Sequence, residues 1–180
     1  MATLTPGKWT LDTSHSEAIF RVRHAGISRV RGNFEDFSGN AEFTENLDGS
    51  VIQAEVMAAS VNTRNEGRDE HLRGEDFFDV ANHPVLKFES LTVTDFDGEE
   101  FKLTGNLTIR GVTKQVEFKG EFGGQTVDAF GMTRAGFEAS TEISREEFGL
   151  TWNAALEAGG FLVSDKVRIT LDVSFTKDEE

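Results

Sequence analysis

Apolar and polar residues alternate with a period of two along most of the chain. The clearest run is at the C-terminus, where Val163, Val167, Ile169, Leu171, Val173 and Phe175 share one parity and only Asp165 interrupts the set. That spacing predicts a strand with one face in a core and the other in water. The same pattern predicts strands over residues 18–24 (Phe20, Val22), 33–43 (Ala41, Phe43), 51–61 (Ile52, Ala54, Val56, Ala58), 85–94, 101–110, 112–122 and 126–143. Turn chemistry separates them: "NLDGS" at 46–50, "DFDGE" at 95–99, "RG" at 110–111 and "GG" at 123–124. At Arg110-Gly111 the register is testable on paper. Pairing Ile109 with Val112 puts Leu103, Leu107 and Ile109 on the face that holds Val112, Val116 and Phe118, with Lys114 the exception.

Eight strands joined by hairpins, without the long crossovers that parallel pairing needs, predict an all-β, antiparallel, up-and-down meander. Closing it into a barrel removes the exposed edges; a sandwich is the alternative. Helical spacing is concentrated in one insert at about residues 64–79. There Glu66 to Arg73 makes two turns, Gly74 stops them, and "EDFFD" forms another short piece. A shorter turn is expected at "AGIS" after His24. With no linker, repeat or low-complexity tract, residues 1–180 read as one domain.

Composition changes this picture in three ways. Thirty-two acidic against eighteen basic residues give a formal charge of -14, which argues against long-range attraction to nucleic acid or to an anionic bilayer. The absence of cysteine removes disulfides, thiolate metal sites and a cysteine nucleophile. Sixteen Phe and two Trp accompany no Tyr, so the aromatic interior carries no hydroxyl in need of a partner. Those phenylalanines suit a solid core or the wall of an apolar cavity, and composition leaves the two open.

"MATLTPGKWTLD" has neither a basic n-region nor an apolar h-region, so a cytoplasmic protein is expected. No stretch reaches the ~20 apolar residues of a spanning helix. The "NLT" at Asn106 falls in a predicted strand, which argues against its use as a glycosylation site.

Six blocks, "WTLDTSHSEAIFRVRH", "GNFEDFSG", "ASVNTRNEGRDEHLRGEDFFD", "HPVLKFES", "LTIRGVTKQVEF" and "ISREEFG", resemble in order and spacing the YceI-like family of polyisoprenoid-binding proteins. The likeness spans residues 9 to about 175. It implies a lipocalin-like barrel around a long isoprenoid chain, that of a quinone or a polyprenyl lipid. Many members of that family are exported to the periplasm, whereas no leader is legible here. No cofactor is expected beyond such a bound lipid as ligand.

Strand parity and the resemblance together select a candidate lining: Phe20, Val22, Phe34, Phe37, Phe43, Val56, Phe77, Phe78, Phe88, Leu107, Ile109, Phe118, Phe148 and Trp152. In the insert, Leu72 and Phe77-Phe78 would stop the barrel mouth while the charged helix face stays wet. Equally, the two rings would only pin the insert to the barrel. Phe148, Trp152 and Phe161 are expected to form an apolar rim beside this plug, and Trp9 precedes the first strand.

The shared blocks also hold Arg68, Asp69, His71, Asp12, His15, Ser16, His24 and Arg145, expected as a buried network joining the insert, the first strand and the Arg145 corner. Within it His24, Arg68 and Arg145 are the candidates for donating to an oxygen-bearing head group. The acidic surface favours a neutral head over a pyrophosphate, unless Arg68 and Arg145 together override the overall field.

His15, His24, His71 and His83 match no metal-ligand spacing, and no G-x-S-x-G or GK[ST] element is present. The expected function is therefore that of a non-catalytic carrier or store of a hydrophobic small molecule. Two rivals stand beside it: an enzyme acting on such a lipid through an Arg/His/Asp cluster at the mouth, and a ligand-free structural or partner-binding barrel. Monomer and homodimer are both open.

Overall fold

The computed structural model describes residues 4–156, 160 and 162–179. Its strands are β1 (Gly7–Leu11), β2 (Glu17–His24), β3 (Ser28–Phe34), β4 (Phe37–Phe43), β5 (Val51–Met57), β6 (Val61–Asn62), β7 (Val85–Thr94), β8 (Glu100–Ile109), β9 (Val112–Val127), β10 (Thr133–Ser144) and β11 (Val163–Lys177), with one helix, α1 (Glu66–Arg73), between β6 and β7. Hydrogen-bonded neighbours run β1–β4–β5–β7–β8–β9–β10–β11, and β11 returns to β1 through Trp9 opposite Lys177 and Leu11 opposite Phe175. This is a closed, eight-stranded antiparallel barrel.

The first two staves of the barrel are each broken. β1 and β2 both lie along β11, separated by a tight helical turn at Thr13–His15. β3 and β4 likewise continue one another across residues 35–36, β3 pairing with β2 and β4 with β1. Above the break, on the side away from β2, β3 meets the sheet only through Asn33–Asn62 and Phe34–Val61, so among the described residues its edge from Ser28 to Gly32 has no strand partner on that side. Closure of the ring is therefore complete at one end and partial at the other.

Several expectations are met in detail. Ile109 pairs with Val112 and Leu103 with Phe118, the register read from the turn. The helix runs from Glu66 to Arg73, capped by the Asn65 side chain accepting from the Arg68 N–H at 3.0 Å. Others are corrected. Gly123-Gly124 is no hairpin: β9 continues to Val127, and Gly123 is an extra residue between the Phe122–Phe137 and Gly124–Gly136 pairs. Glycine permits this bulge, with Gly124 at φ 117. The reversal falls instead at residues 128–132, where the Asp128 carboxylate accepts from the N–H groups of Phe130 and Met132.

"EDFFD" is a pair of turns, not helix, held by Phe78 N–H on Leu72 O and Asp79 N–H on Gly74 O. The strand read over 51–61 ends at Met57. Trp9 lies inside β1 and is fully buried; the short segment "GKWTL" offers too few alternations to announce a strand.

The closed end is packed solid. Trp9, Phe43, Phe122, Phe137 and Phe175 belong to one buried cluster, with Phe43 centred 5.1 Å from Phe137 and 5.3 Å from Phe175. Edge-on and tilted rings fill this space without any hydroxyl to satisfy. A second cluster, including Phe34, Phe77, Leu86, Leu107 and Ile143, surrounds the other end.

Candidate ligand-binding site

Above the aromatic floor the barrel is hollow. The cavity measures about 490 Å³, within the usual range for small-molecule sites. Inward positions of β11, from Val163 and Val167 through Phe175, form one wall, and Leu103, Leu107, Ile109 and Phe118 another. The bore stays open partly because large rings lie flat against glycine. Phe20 faces Gly32 across β2 and β3, and a Cβ there would stand 2.4 Å from the ring; at Gly105 the corresponding distance to Phe88 is 2.5 Å. A side chain at either glycine would push the ring toward the lumen.

Every residue assigned to the lining from sequence borders this cavity except Phe148. Phe148 is only 1% exposed and packs in the upper cluster with Ile143 and Leu150. The turn Glu146–Phe148, ended by Gly149 at φ 82, folds its ring into the wall, so it forms no rim. Phe161 lies outside the described residues. The alternation did not single out Leu11, Phe137, Ala139 or Ile143, which also border the space. Leu11 was hidden with β1, while the others share the inward parity of β10 and were legible there.

The insert covers the mouth. Leu72, Phe77 and Phe78 border the cavity, with Phe77 centred 5.5 Å from Trp152 and Phe78 5.7 Å from Phe34. Arg110 donates from Nη1 to Phe77 O at 2.7 Å, which anchors the plug to the β8–β9 turn. His71 stands edge-on to Trp152 at 4.7 Å, and its Nε2 lies 2.9 Å from Asp76 Oδ2. Asp76 is half exposed, and no hydroxyl among the described residues bonds His71.

The polar groups do not form the single network expected from sequence. They separate into three clusters, because each is tied to the backbone of its own segment. In the insert, Asp69 accepts from Thr63 N–H at 2.8 Å and from its hydroxyl, while Arg68 donates from Nε to Thr63 Oγ1 at 2.7 Å and from Nη2 to Thr63 O at 2.8 Å. Arg68 Nη1 and the His24 ring make no hydrogen bond to described residues, and both side chains border the cavity. At the corner, Arg145 is 5% exposed and donates to four carbonyls, those of Leu150, Trp152, Val163 and Ser164. Burial pushes its guanidinium below the usual arginine range, opposed by Glu146 and Asp165. Four of its five N–H groups are thus already engaged.

The third cluster sits at the break between β1 and β2. Arg134 Nη1 donates to Asp12 Oδ2 at 2.6 Å and to Ser174 Oγ at 3.0 Å, and Nη2 to Asp128 Oδ2 at 3.2 Å. Arg134 first, then Ser14, holds the Asp12 carboxyl far below the usual carboxylate range. A depressed pKa in the folded state contributes stability above the unfolded value near 4 and loses it as pH falls toward the folded value. Wild type is accordingly expected to exceed Asp12→Asn by about 1 kcal/mol at pH 7 in urea unfolding, with the gap shrinking steadily from about pH 4 downward. A gap independent of pH would detach the effect from this carboxylate.

Charge at the cavity is one-sided. Arg23, His24, Arg68, His71, Lys87 and Arg145 border it, and no Asp or Glu does among the described residues, in a chain with 32 of them. The barrel, its plug and its sequence blocks coincide with one family model, the YceI-like domain, which matches residues 9–175. The chain belongs to the YceI-like family. A UPF0312 protein of Staphylococcus aureus (strain N315) is 34% identical over 95% of this chain and 98% of its own. One from Pseudomonas aeruginosa (strain UCBPP-PA14) is 39% identical over 76% of this chain and 71% of its own.

Among solved structures, the Campylobacter jejuni YceI protein matches with a TM-score of 0.75 and 31% identity, covering 87% of this chain and 90% of that one. Burkholderia cenocepacia BcnA shares the fold with a TM-score of 0.80 at 20% identity, over 91% of this chain and 98% of its own. So does a polyisoprenoid binding domain from Saccharophagus degradans, TM-score 0.70 at 15% identity, over 97% of this chain and all of that one. No helix of the described residues is long and apolar enough to cross a membrane.

Proposed function

We propose that this YceI-like barrel holds a long-chain isoprenoid lipid, its tail in the cavity and an oxygen-bearing head beside Arg68 and His24, and acts as a carrier or store. The observation that carries this reading is the apolar cavity of about 490 Å³ bordered by basic and no acidic side chains among the described residues. At about 30 Å³ per group, such a space takes roughly 16 methylene-sized groups. Each is worth ~0.8 kcal/mol when removed from water, so the tail supplies on the order of 13 kcal/mol before ordering costs. The tail therefore sets affinity and the head is read weakly.

The polyisoprenoid-binding description of the Saccharophagus degradans domain, which shares the fold, supports the choice of ligand class. The one-signed edge favours a head rich in acceptors, a quinone's carbonyls or a phosphate, and removes the objection to a charged head drawn from net charge alone. A cavity of this size also counts against a lumen filled by its own phenylalanines. The test is native mass spectrometry of gently purified protein, followed by organic extraction. A discrete apolar adduct, identified as an isoprenoid after extraction, is expected. A barrel that stays empty after incubation with long-chain quinones and polyprenyl phosphates would overturn the reading.

A further inference from the structure

The outer wall beside the mouth carries charge of the wrong sign for so acidic a protein. Phe20, Val22 and His24 are half-buried and border the cavity, whereas Arg21 and Arg23 alternate with them as exposed residues on the outer side of β2, although Arg23 also touches the cavity's edge. Pairing then lines up Arg168 of β11, Arg21 of β2 and Arg31 of β3 side by side, with Arg23 opposite Arg29 in the row nearer the tip. Lys166, also exposed, lies two residues from Arg168. Six of the chain's eighteen basic residues share this face. Among the described residues none of the six forms an ion pair. The nearest acids along the ladders are Glu142, opposite Arg168 on β10, and Asp172 with Glu17 toward the closed end.

Like charges directly opposite each other in a sheet destabilise it, and an excess of acidic residues was available to neutralise them. Protection of the open β3 edge accounts for Arg29 and Arg31, since charge on an edge discourages strand addition. It does not account for Arg21 and Arg168, which stand on strands paired on both sides. At the tip of the same hairpin, Ala25 and Gly26 at φ 53 and 70 turn the chain and leave Ile27 91% exposed.

An exposed aliphatic side chain at the end of an arginine-covered face suits a surface with acidic head groups above hydrocarbon. We infer that this face docks on an anionic lipid bilayer, Ile27 entering the head-group layer and the arginines meeting lipid phosphates, so that the mouth is turned toward the membrane. Screening confines each charge to about 10 Å, so the net charge of -14 carried elsewhere does not cancel the patch. It repels the remaining faces and leaves one orientation favoured.

The purpose of this docking rests on the lipid reading of the cavity, but the docking itself needs no cargo. The full chain is sedimented with vesicles of phosphatidylcholine alone or with about 30% phosphatidylglycerol. Binding is expected only to the anionic vesicles and is lost at high salt. The triple change Arg21→Gln, Arg29→Gln, Arg31→Gln is expected to weaken it roughly 100-fold, at about fivefold per charge. The corresponding triple lysine variant retains it, and Ile27→Asp reduces it. Equal binding to both vesicle types, no binding, or an unaffected glutamine variant would overturn the inference. Binding to polyglutamate without binding to vesicles would overturn it too, and would assign the face to an acidic protein. Native mass spectrometry on the same variants reports cavity occupancy separately, so either claim can fail alone.

Discussion

Arg145→Ala is expected to lower the thermal midpoint by on the order of 10 °C. The guanidinium is the shared donor for the carbonyls of Leu150, Trp152, Val163 and Ser164, and it lies in a corner that is 5% exposed. Removing it leaves acceptors facing one another in a dry site, at a cost of about 3–5 kcal/mol in total once partial hydration is allowed. Arg145→Lys should recover little, because one ammonium cannot reproduce the planar fork that reaches carbonyls on two separate chain segments. The same bonds hold Trp152 against the plug, so lipid retention should fall with stability. Calorimetry gives the measure, and a drop of under about 2 °C would mean that water replaces the guanidinium at negligible cost.

Ala54→Trp is expected to do the opposite, abolishing lipid uptake while sparing the fold. Ala54 borders the cavity from β5, opposite Gly39 on one side and Phe88 on the other. An indole placed there enters vacant space rather than a packed core, so stability of the ligand-free protein should change by less than about 1 kcal/mol. Affinity for a long-chain quinone should fall at least about 100-fold, as several methylene-sized sites are occupied. A barrel already filled by its own side chains would instead show the overpacking cost of about 1–3 kcal/mol. Urea unfolding and a quinone fluorescence titration separate the two outcomes.

Alternation made the barrel and most of its lining legible, because a residue's parity fixes its face once a strand is recognised. Gly74 likewise marked the end of α1. What stayed hidden depends on pairing across the sheet. The breaks near residues 12–16 and 35–36 have no local signature, since they answer to closure of the ring and not to composition. Arg145 takes its partners from main-chain carbonyls, which no residue pattern discloses. The arginine face was masked by the total charge; it exists only because the register brings "RVR" of β2, "RVR" of β3 and Arg168 onto one side. Phe148 escaped the parity rule because it lies in the short turn Glu146–Phe148, outside any strand.

The interrupted first and second staves divide the mechanics of the vessel. Its base is hooped all the way round, with the β1–β11 ladder taking the load, whereas the β2–β3 hairpin hangs from β11 and grips its other neighbour through two residue pairs. The aperture can therefore widen by swinging that hairpin outward while the base keeps its circumference. On the proposed carrier reading, a bulky amphiphile would pass a rim that yields and come to rest in a chamber of fixed bore.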